Sequence, residues 1–182
     1  MMQISRGSKM ERHVIESGTI GVVGAVPGKY LTFLLSNDRY GINLLKVQEI
    51  IKVPQITFVP RCVEYIKGVI NLRGKIIPVV DLRTKFGLPP RGQSNKSCVI
   101  VIDARCGDSA LLVGVIVDTV LEVLHFSQND ISAPPNYGSK LESLFVTGMV
   151  TRDDAVNVII DIDAIIASVI SSSGRQVLPQ NV

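Results

Sequence analysis

The chain has no tryptophan, four tyrosines, five phenylalanines, two histidines and three cysteines among 182 residues. Each shortage excludes a kind of function. A nucleic-acid-binding barrel stacks bases on aromatic rings set within a basic stripe. Here Phe33, Phe58 and Phe86 stand among apolar positions, and 19 Lys and Arg are scattered among 16 Asp and Glu for a net charge of +3. A small nucleic-acid-binding β-barrel is therefore the weaker alternative, and no nucleic-acid partner is expected. The two histidines, His13 in an N-terminal tail and His125 in an apolar stretch, provide no Ser-His-Asp or Cys-His arrangement. Cys62, Cys98 and Cys106 lack metal-ligand spacing, and any disulfide would leave one thiol over, which points to free thiols. Gly21, Gly24 and Gly28-Lys29 resemble a phosphate loop only loosely. No strand precedes them, Val23 stands where the first glycine belongs, and Tyr30 replaces the hydroxyl residue that must reach magnesium. Asp81, Asp161 and Asp163 each sit where a helix start takes a cap, so they do not argue for a metal or acid-base cluster. The chain is expected to be no enzyme and to carry no cofactor and no metal.

No apolar run approaches the ~18 to 20 residues that span a bilayer, and no basic region followed by an apolar stretch and cleavage site opens the chain. A cytoplasmic protein with no direct membrane insertion is expected. With 46% hydrophobic residues, 182 residues suffice for a sizeable core in one domain or two small subdomains.

The residues that are present read as β structure. Residues 69–72 and 76–80 are rich in Val and Ile and flank Arg73-Gly74, where a glycine tolerates the positive φ of a tight hairpin turn. Arg73 is thus expected at a hairpin tip in solvent. Pro78 lacks an amide hydrogen and predicts an edge or bulged strand. Asp81 predicts a cap for a short helix, 82–86, stopped by Gly87 and Leu88-Pro89-Pro90. Further hairpins are predicted across Ser36-Asn37-Asp38 and across Arg105-Cys106-Gly107-Asp108. A helix over 161–170 opens on Asp161 and places residues 162, 165, 166, 169 and 170 on one apolar face.

The pattern occurs twice. Residues 41–53 match 114–126 at an offset of 73, with Gly, Val and Glu identical at 41, 47 and 49 against 114, 120 and 122. Residues 65–70 match 145–150, and 79–82 match 159–162, both at an offset of 80. Three matches in one order argue for an internal duplication, with a longer loop in the second copy over residues 127–143.

The motifs Tyr40-Gly41-Ile42-Asn43-Leu44-Leu45-Lys46-Val47-Gln48-Glu49-Ile50, Gly68-Val69-Ile70-Asn71-Leu72-Arg73-Gly74 and Pro78-Val79-Val80-Asp81-Leu82-Arg83 resemble the signature of the CheW family of bacterial chemotaxis coupling proteins. The resemblance covers about 29–171 and includes Gly114-Val115-Ile116-Val117-Asp118. It implies an all-β fold with a few short helices, built as two SH3-like five-stranded barrels, here expected over about 29–90 and 97–160. A helix over 161–171 would follow, with tails over 1–28 and 172–182. It also implies a scaffold that joins the cytoplasmic hairpin tip of chemoreceptors to the regulatory domain of a chemotaxis histidine kinase, and recruitment to membrane-associated receptor arrays. In its terms Leu44, Val47, Gly114 and Val120 line a receptor-binding groove between the barrels, with Glu49 in a polar slot beside it. Each apolar position fits an ordinary core residue equally well, and Glu49 fits a solvated surface carboxylate. Gly68 and Arg73 match the family's coupling positions and are expected at the kinase contact, Gly68 for close backbone approach and Arg73 as a bidentate donor. The basic balance and the N-terminal tail depart from the family pattern.

Overall fold

A computed structural model describes residues 24–90, 92, 94–107, 109–134 and 145–173. Of the sequence-expected tails over 1–28 and 172–182, residues 1–23 and 174–182 lie outside the described residues, while β1 begins at Gly28 and α2 runs to Ser173. Among the described residues, ten strands and two helices follow one another as β1 Gly28–Leu35, β2 Asp38–Asn43, a 3-10 turn Leu44–Lys46, β3 Val47–Lys52, β4 Ile66–Leu72, β5 Lys75–Asp81, α1 Leu82–Lys85, β6 Cys98–Cys106, β7 Ser109–Val117, β8 Thr119–Phe126, β9 Val146–Arg152, β10 Ala155–Ile160 and α2 Ile162–Ser173. The predicted hairpins form across Ser36-Asn37, across Arg73-Gly74 and between β6 and β7, whose ladder runs to Cys106 opposite Ser109.

The strands build two five-stranded sheets, ordered β8-β1-β2-β10-β9 and β3-β6-β7-β5-β4. Replacing each strand of the first sheet by its counterpart five strands away reproduces the order of the second. The duplication is therefore topological as well as sequential. Equivalent registers agree: Gly41 pairs with Ile159 in the parallel β2–β10 ladder, and Gly114 pairs with Val79 in the parallel β7–β5 ladder. Chain continuations beyond the edge strands close each sheet toward a barrel. Thr57, beyond β3, exchanges two backbone hydrogen bonds of 2.9 Å with Val69 of β4, and Ser132, beyond β8, does the same with Met149 of β9 at 2.8 and 2.9 Å.

The expected division of the barrels into 29–90 and 97–160 requires correction. The first sheet takes β1 and β2 from the N-terminal half but β8, β9 and β10 from the C-terminal half; the second sheet is the mirror case. The exchange occurs at two corners. After β2 the chain turns through Leu44–Lys46 and β3 crosses to β6, and after β7 it turns at Asp118 and β8 crosses back to β1. Periodicity along the chain records which residues are strands but not which partner each strand meets.

The core follows from strand alternation. Val99 and Val101 face the interior of the second barrel with Ile70, Ile77, Val79 and Ile116, while Tyr30, Phe126, Val150 and Ile159 fill the first. The alternate residues, among them Leu31, Phe33, Ile42, Val80, Ile100, Ile102, Val113 and Val115, form a third and larger cluster that joins the two sheets and receives the apolar face of α2 through Ile162, Ile165, Ile166 and Val169. The expected helix caps are present. Asp81 Oδ1 accepts from Arg83 N at 2.9 Å and Asp161 Oδ1 accepts from Ala164 N at 3.1 Å. Pro78 is a further correction: β5 lies inside its sheet between β7 and β4. Its missing N–H is tolerated because the β7 ladder begins one residue later, at Val79, and the bulge falls in β4 between Ile66 and Gly68.

Candidate functional site: the seam between the barrels and an ion pair beside it

The two crossover corners expose the seam where the barrels meet. Asn43 opens the 3-10 turn by accepting from Leu45 N at 2.9 Å, which places Leu44 against the shared core and leaves Leu45 89% exposed. Val47 begins β3 opposite Ile102, and its repeat counterpart Val120 is the second residue of β8, opposite Phe33. Leu44, Val47 and Val120 are all half-buried and pack on the same inter-barrel cluster. Each of these three sequence-expected groove residues thus packs on the core shared by the two sheets.

Gly114 does not join them. It is buried on β7, and a Cβ there would meet Val99 Cγ1 at 2.8 Å and Val79 Cγ2 at 3.5 Å. Both neighbours belong to the interior of the second barrel, so Gly114 faces away from the seam; its role is to let β5 and β7 lie close in the parallel ladder.

Glu49 and Arg73, which the family pattern assigns to different partners, meet in an ion pair of 2.9 Å. Glu49 lies on β3 and Arg73 on the β4–β5 hairpin, which stand at opposite ends of the strand order, so the pair spans the closure of the second barrel. The hairpin presents Arg73 through a turn with positive φ at Arg73 (51°) and Gly74 (86°), braced by Gly74 N donating to Asn71 Oδ1 at 2.8 Å. The Arg73 side chain is 80% exposed, as expected for a hairpin tip, while that of Glu49 is 25% exposed. A guanidinium held at one end by a carboxylate keeps its other donors free for a second acceptor.

Gly68 serves the fold directly. Its φ is +139°, and a Cβ would stand 2.1 Å from the Thr57 carbonyl oxygen. The close backbone approach read from the sequence as a partner contact is made by Thr57 of the same chain.

A second charged cluster escaped the sequence reading. Arg83 is buried, and its Nη1 donates to Asp118 Oδ2 at 2.6 Å and to Ser36 Oγ at 2.9 Å, while Nη2 donates to the Pro89 carbonyl at 2.5 Å. Ser36 N also donates to Asp118 Oδ2 at 2.7 Å. Arg83 therefore locks the corner where β8 crosses over. At the other corner the roles reverse: Lys46 of the 3-10 turn pairs at 2.5 Å with Asp163, the repeat counterpart of Arg83. Next to Arg83, Lys85 Nζ lies 4.5 Å from the Tyr65 ring centroid and 5.7 Å from that of Phe145, itself the counterpart of Tyr65. Burial pushes the Lys85 ammonium below the ordinary lysine range and the Cys98 thiol above the ordinary cysteine range. The repeat offset relates Arg83 to Asp163 and Tyr65 to Phe145 but pairs neither Arg83 with Asp118 nor Lys46 with Asp163, partners that lie 35 residues or more apart in the chain.

Among the described residues no group of three or more His, Cys, Asp and Glu is placed to hold a metal ion, and no helix is long and apolar enough to cross a membrane. Of the aromatic residues, Tyr30, Phe33 and Phe126 are core; Phe58 is the exception to the apolar setting read from sequence, at 74% exposed. The described residues thus hold no aromatic stripe for stacking bases.

Comparison with known proteins agrees with this architecture. The family model for the CheW-like domain matches residues 29–169. "Chemotaxis protein CheW" of Klebsiella aerogenes is 36% identical over 140 residues, covering 77% of this chain and 82% of that protein. The protein of the same name from Thermotoga maritima is 32% identical over 147 residues, covering 79% and 91%. The crystal structure of the scaffolding protein TtCheW from Thermoanaerobacter tengcongensis superposes with a TM-score of 0.69 at 37% identity, covering 77% of this chain and 92% of that one. With its paired SH3-like barrels, its duplicated crossover corners and a family match over most of its length, the chain belongs to the CheW-like domain family.

Proposed function

We propose that the chain is a non-enzymatic adaptor that couples the cytoplasmic hairpin tip of chemoreceptors to the regulatory domain of a chemotaxis histidine kinase, acting in the cytoplasm at membrane-associated receptor arrays. The observation that carries the reading is the presence of two surface features of different character. Leu44, Val47 and Val120 pack half-buried on the cluster shared by the barrels, and Glu49, past the bulge that follows Val47 on β3, pairs with the exposed Arg73 of the β4–β5 hairpin. An amphipathic helical hairpin needs an apolar stripe for its anchors. A kinase domain can complete the coordination of Arg73 with a carboxylate of its own. The defining experiment is a titration of the purified chain with a receptor cytoplasmic fragment and, separately, with the kinase regulatory domain; failure to bind either would overturn the proposal.

Two substitutions sharpen it. Arg73→Glu is expected to change folding stability by less than about 1 kcal/mol, because the pair it breaks is largely exposed. It is expected to weaken kinase-domain binding by about 2 to 5 kcal/mol if the guanidinium is buried at the contact. The double exchange Glu49→Arg with Arg73→Glu restores an internal ion pair and separates two roles. Recovery of binding means that the pair matters by shaping the hairpin, and continued loss means that Arg73 is read directly.

Val47→Asp tests the seam. A half-buried position at a groove accepts a carboxylate that reaches water, so the urea midpoint is expected to stay near that of the parent while receptor-fragment affinity falls at least tenfold. A collapsed midpoint would move Val47 to the core and remove it from the receptor surface.

A further inference from the structure

The two halves of this chain are folded through each other. The N-terminal half contributes the β1–β2 hairpin, β3 and the β4–β5 hairpin, and the C-terminal half contributes β6–β7, β8 and β9–β10. Among the named strands, no ladder joins the two hairpins of one half. Every ladder that does join hairpins runs between halves: β1 with β8, β2 with β10, β3 with β6 and β5 with β7. The large core cluster is likewise shared, with Leu31, Phe33, Ile42 and Val80 from one half and Ile100, Ile102, Val113 and Ile160 from the other. A half alone is thus a pair of disconnected hairpins, which water does not support. Each half needs a complement, and the contacts that supply it are indifferent to whether the complement is covalently attached.

The connection between halves is slight. The chain is held as far as Pro89, whose carbonyl accepts from Arg83, and enters β6 at Cys98. Between them the described residues Pro90, Gly92, Ser94, Asn95 and Lys96 are exposed, and their hydrogen bonds are local to the turn at Ser94 and Ser97. Among the described residues of this segment none is paired in either sheet.

We propose that two copies of this chain exchange halves: residues 28–89 of one copy interlock with residues 98–173 of the other, and the reciprocal pair does the same, giving an intertwined dimer of two complete two-barrel modules. The second copy is the fitting partner because its C-terminal half carries the same four ladder partners and the same charge complements, Asp118 for Arg83 and Asp163 for Lys46. Each module of the dimer would present a seam of its own, so exchange doubles the number of seams held by one particle. In the monomer the linker supplies the complement at high local concentration, and raising the chain concentration during folding shifts the balance to the dimer.

The Arg83–Asp118 pair crosses between halves and supplies the test. Arg83→Met and Asp118→Ala each strand one partner of this pair, and in an exchanged heterodimer one module regains Arg83 with Asp118 while the other carries the two neutral residues together. The two full-length variants, bearing different affinity tags, are unfolded in urea, mixed equally and refolded together. The expected result is a particle of twice the chain mass that is retained by both tags and melts above either variant refolded alone, near the double variant Arg83→Met/Asp118→Ala. A mixture that elutes as single chains and melts as the sum of the two variants overturns the proposal. A second arm uses the full chain lacking residues 92–96, which disfavours closure within one copy. Dimers by light scattering with the parent's far-ultraviolet spectrum support exchange, and either a native monomer or loss of the β spectrum overturns it.

Discussion

Replacing Arg83 with methionine is expected to cost about 3 to 5 kcal/mol of folding stability, more than any substitution in the candidate binding surface. The Arg83 side chain is 9% exposed, and removing it strands the Asp118 carboxylate, itself 18% exposed, with Ser36 N and no cation. The site is also mechanical. Arg83 ties α1, the β1–β2 turn at Ser36, the Pro89 carbonyl and the crossover corner at Asp118 into one knot. Thermal denaturation should show a fall on the order of 10 °C for a domain of this size. Removing both partners, as in Arg83→Met with Asp118→Ala, should recover part of the loss because no buried charge is then stranded. The reversed pair at the other corner gives an internal control. Lys46 and Asp163 are 27% and 28% exposed, so Lys46→Met should cost less than about 1 kcal/mol. Equal losses at the two corners would refute the argument from burial.

Gly68→Val should be nearly as damaging, by about 3 kcal/mol or more. The Cβ would stand 2.1 Å from a backbone oxygen that cannot rotate away, so the Thr57–Val69 bridge has to open, and the φ of +139° is strained for any residue with a side chain. The repeat counterpart Gly148 provides the comparison. A Cβ there meets Ile131 Cγ2 at 2.8 Å and the Ala25 Cβ at 3.0 Å, with the Ser132 carbonyl oxygen at an ordinary 3.5 Å, so Gly148→Ala should cost clearly less. Urea denaturation of the two variants checks the order. Loss of partner binding in a Gly68 variant that also unfolds early would report a broken β4 rather than a lost contact, which is why Arg73 and Val47 are the better probes of the surface.

Much of the candidate site could be read along the chain, and the portions that could not share one cause. Arg73 at its hairpin tip, the caps at Asp81 and Asp161, and the apolar face of α2 all follow from interactions within a few residues. Val47 and Val120 are equivalent in the repeat, and both pack on the core cluster shared by the two sheets. Gly114 was misplaced because it belongs to the same repeat segment as those residues but to the opposite face of its strand, and strand faces alternate with every residue. Glu49 and Arg73 were separated because their sequence neighbourhoods differ, whereas barrel closure brings them to 2.9 Å. Arg83 meets Ser36 and Asp118 only through the fold, since both lie 35 residues or more away in the chain.

By itself the sequence determined the strands, the turns, the helix caps and the duplication, since each rests on local backbone preference or on similarity between segments of one chain. It also determined the family, because the motifs that carry it are contiguous. The tertiary structure alone sets that β3 and β8 cross between halves, that Arg83 meets Asp118, and that the space beside Gly68 is taken by Thr57 of its own chain. Those outcomes depend on which strand edges meet. In a duplicated chain β1 and β6 offer nearly the same apolar edge, and the choice between them is made by the packing of two barrels on a common core, a property of the whole assembly that no short window of sequence contains.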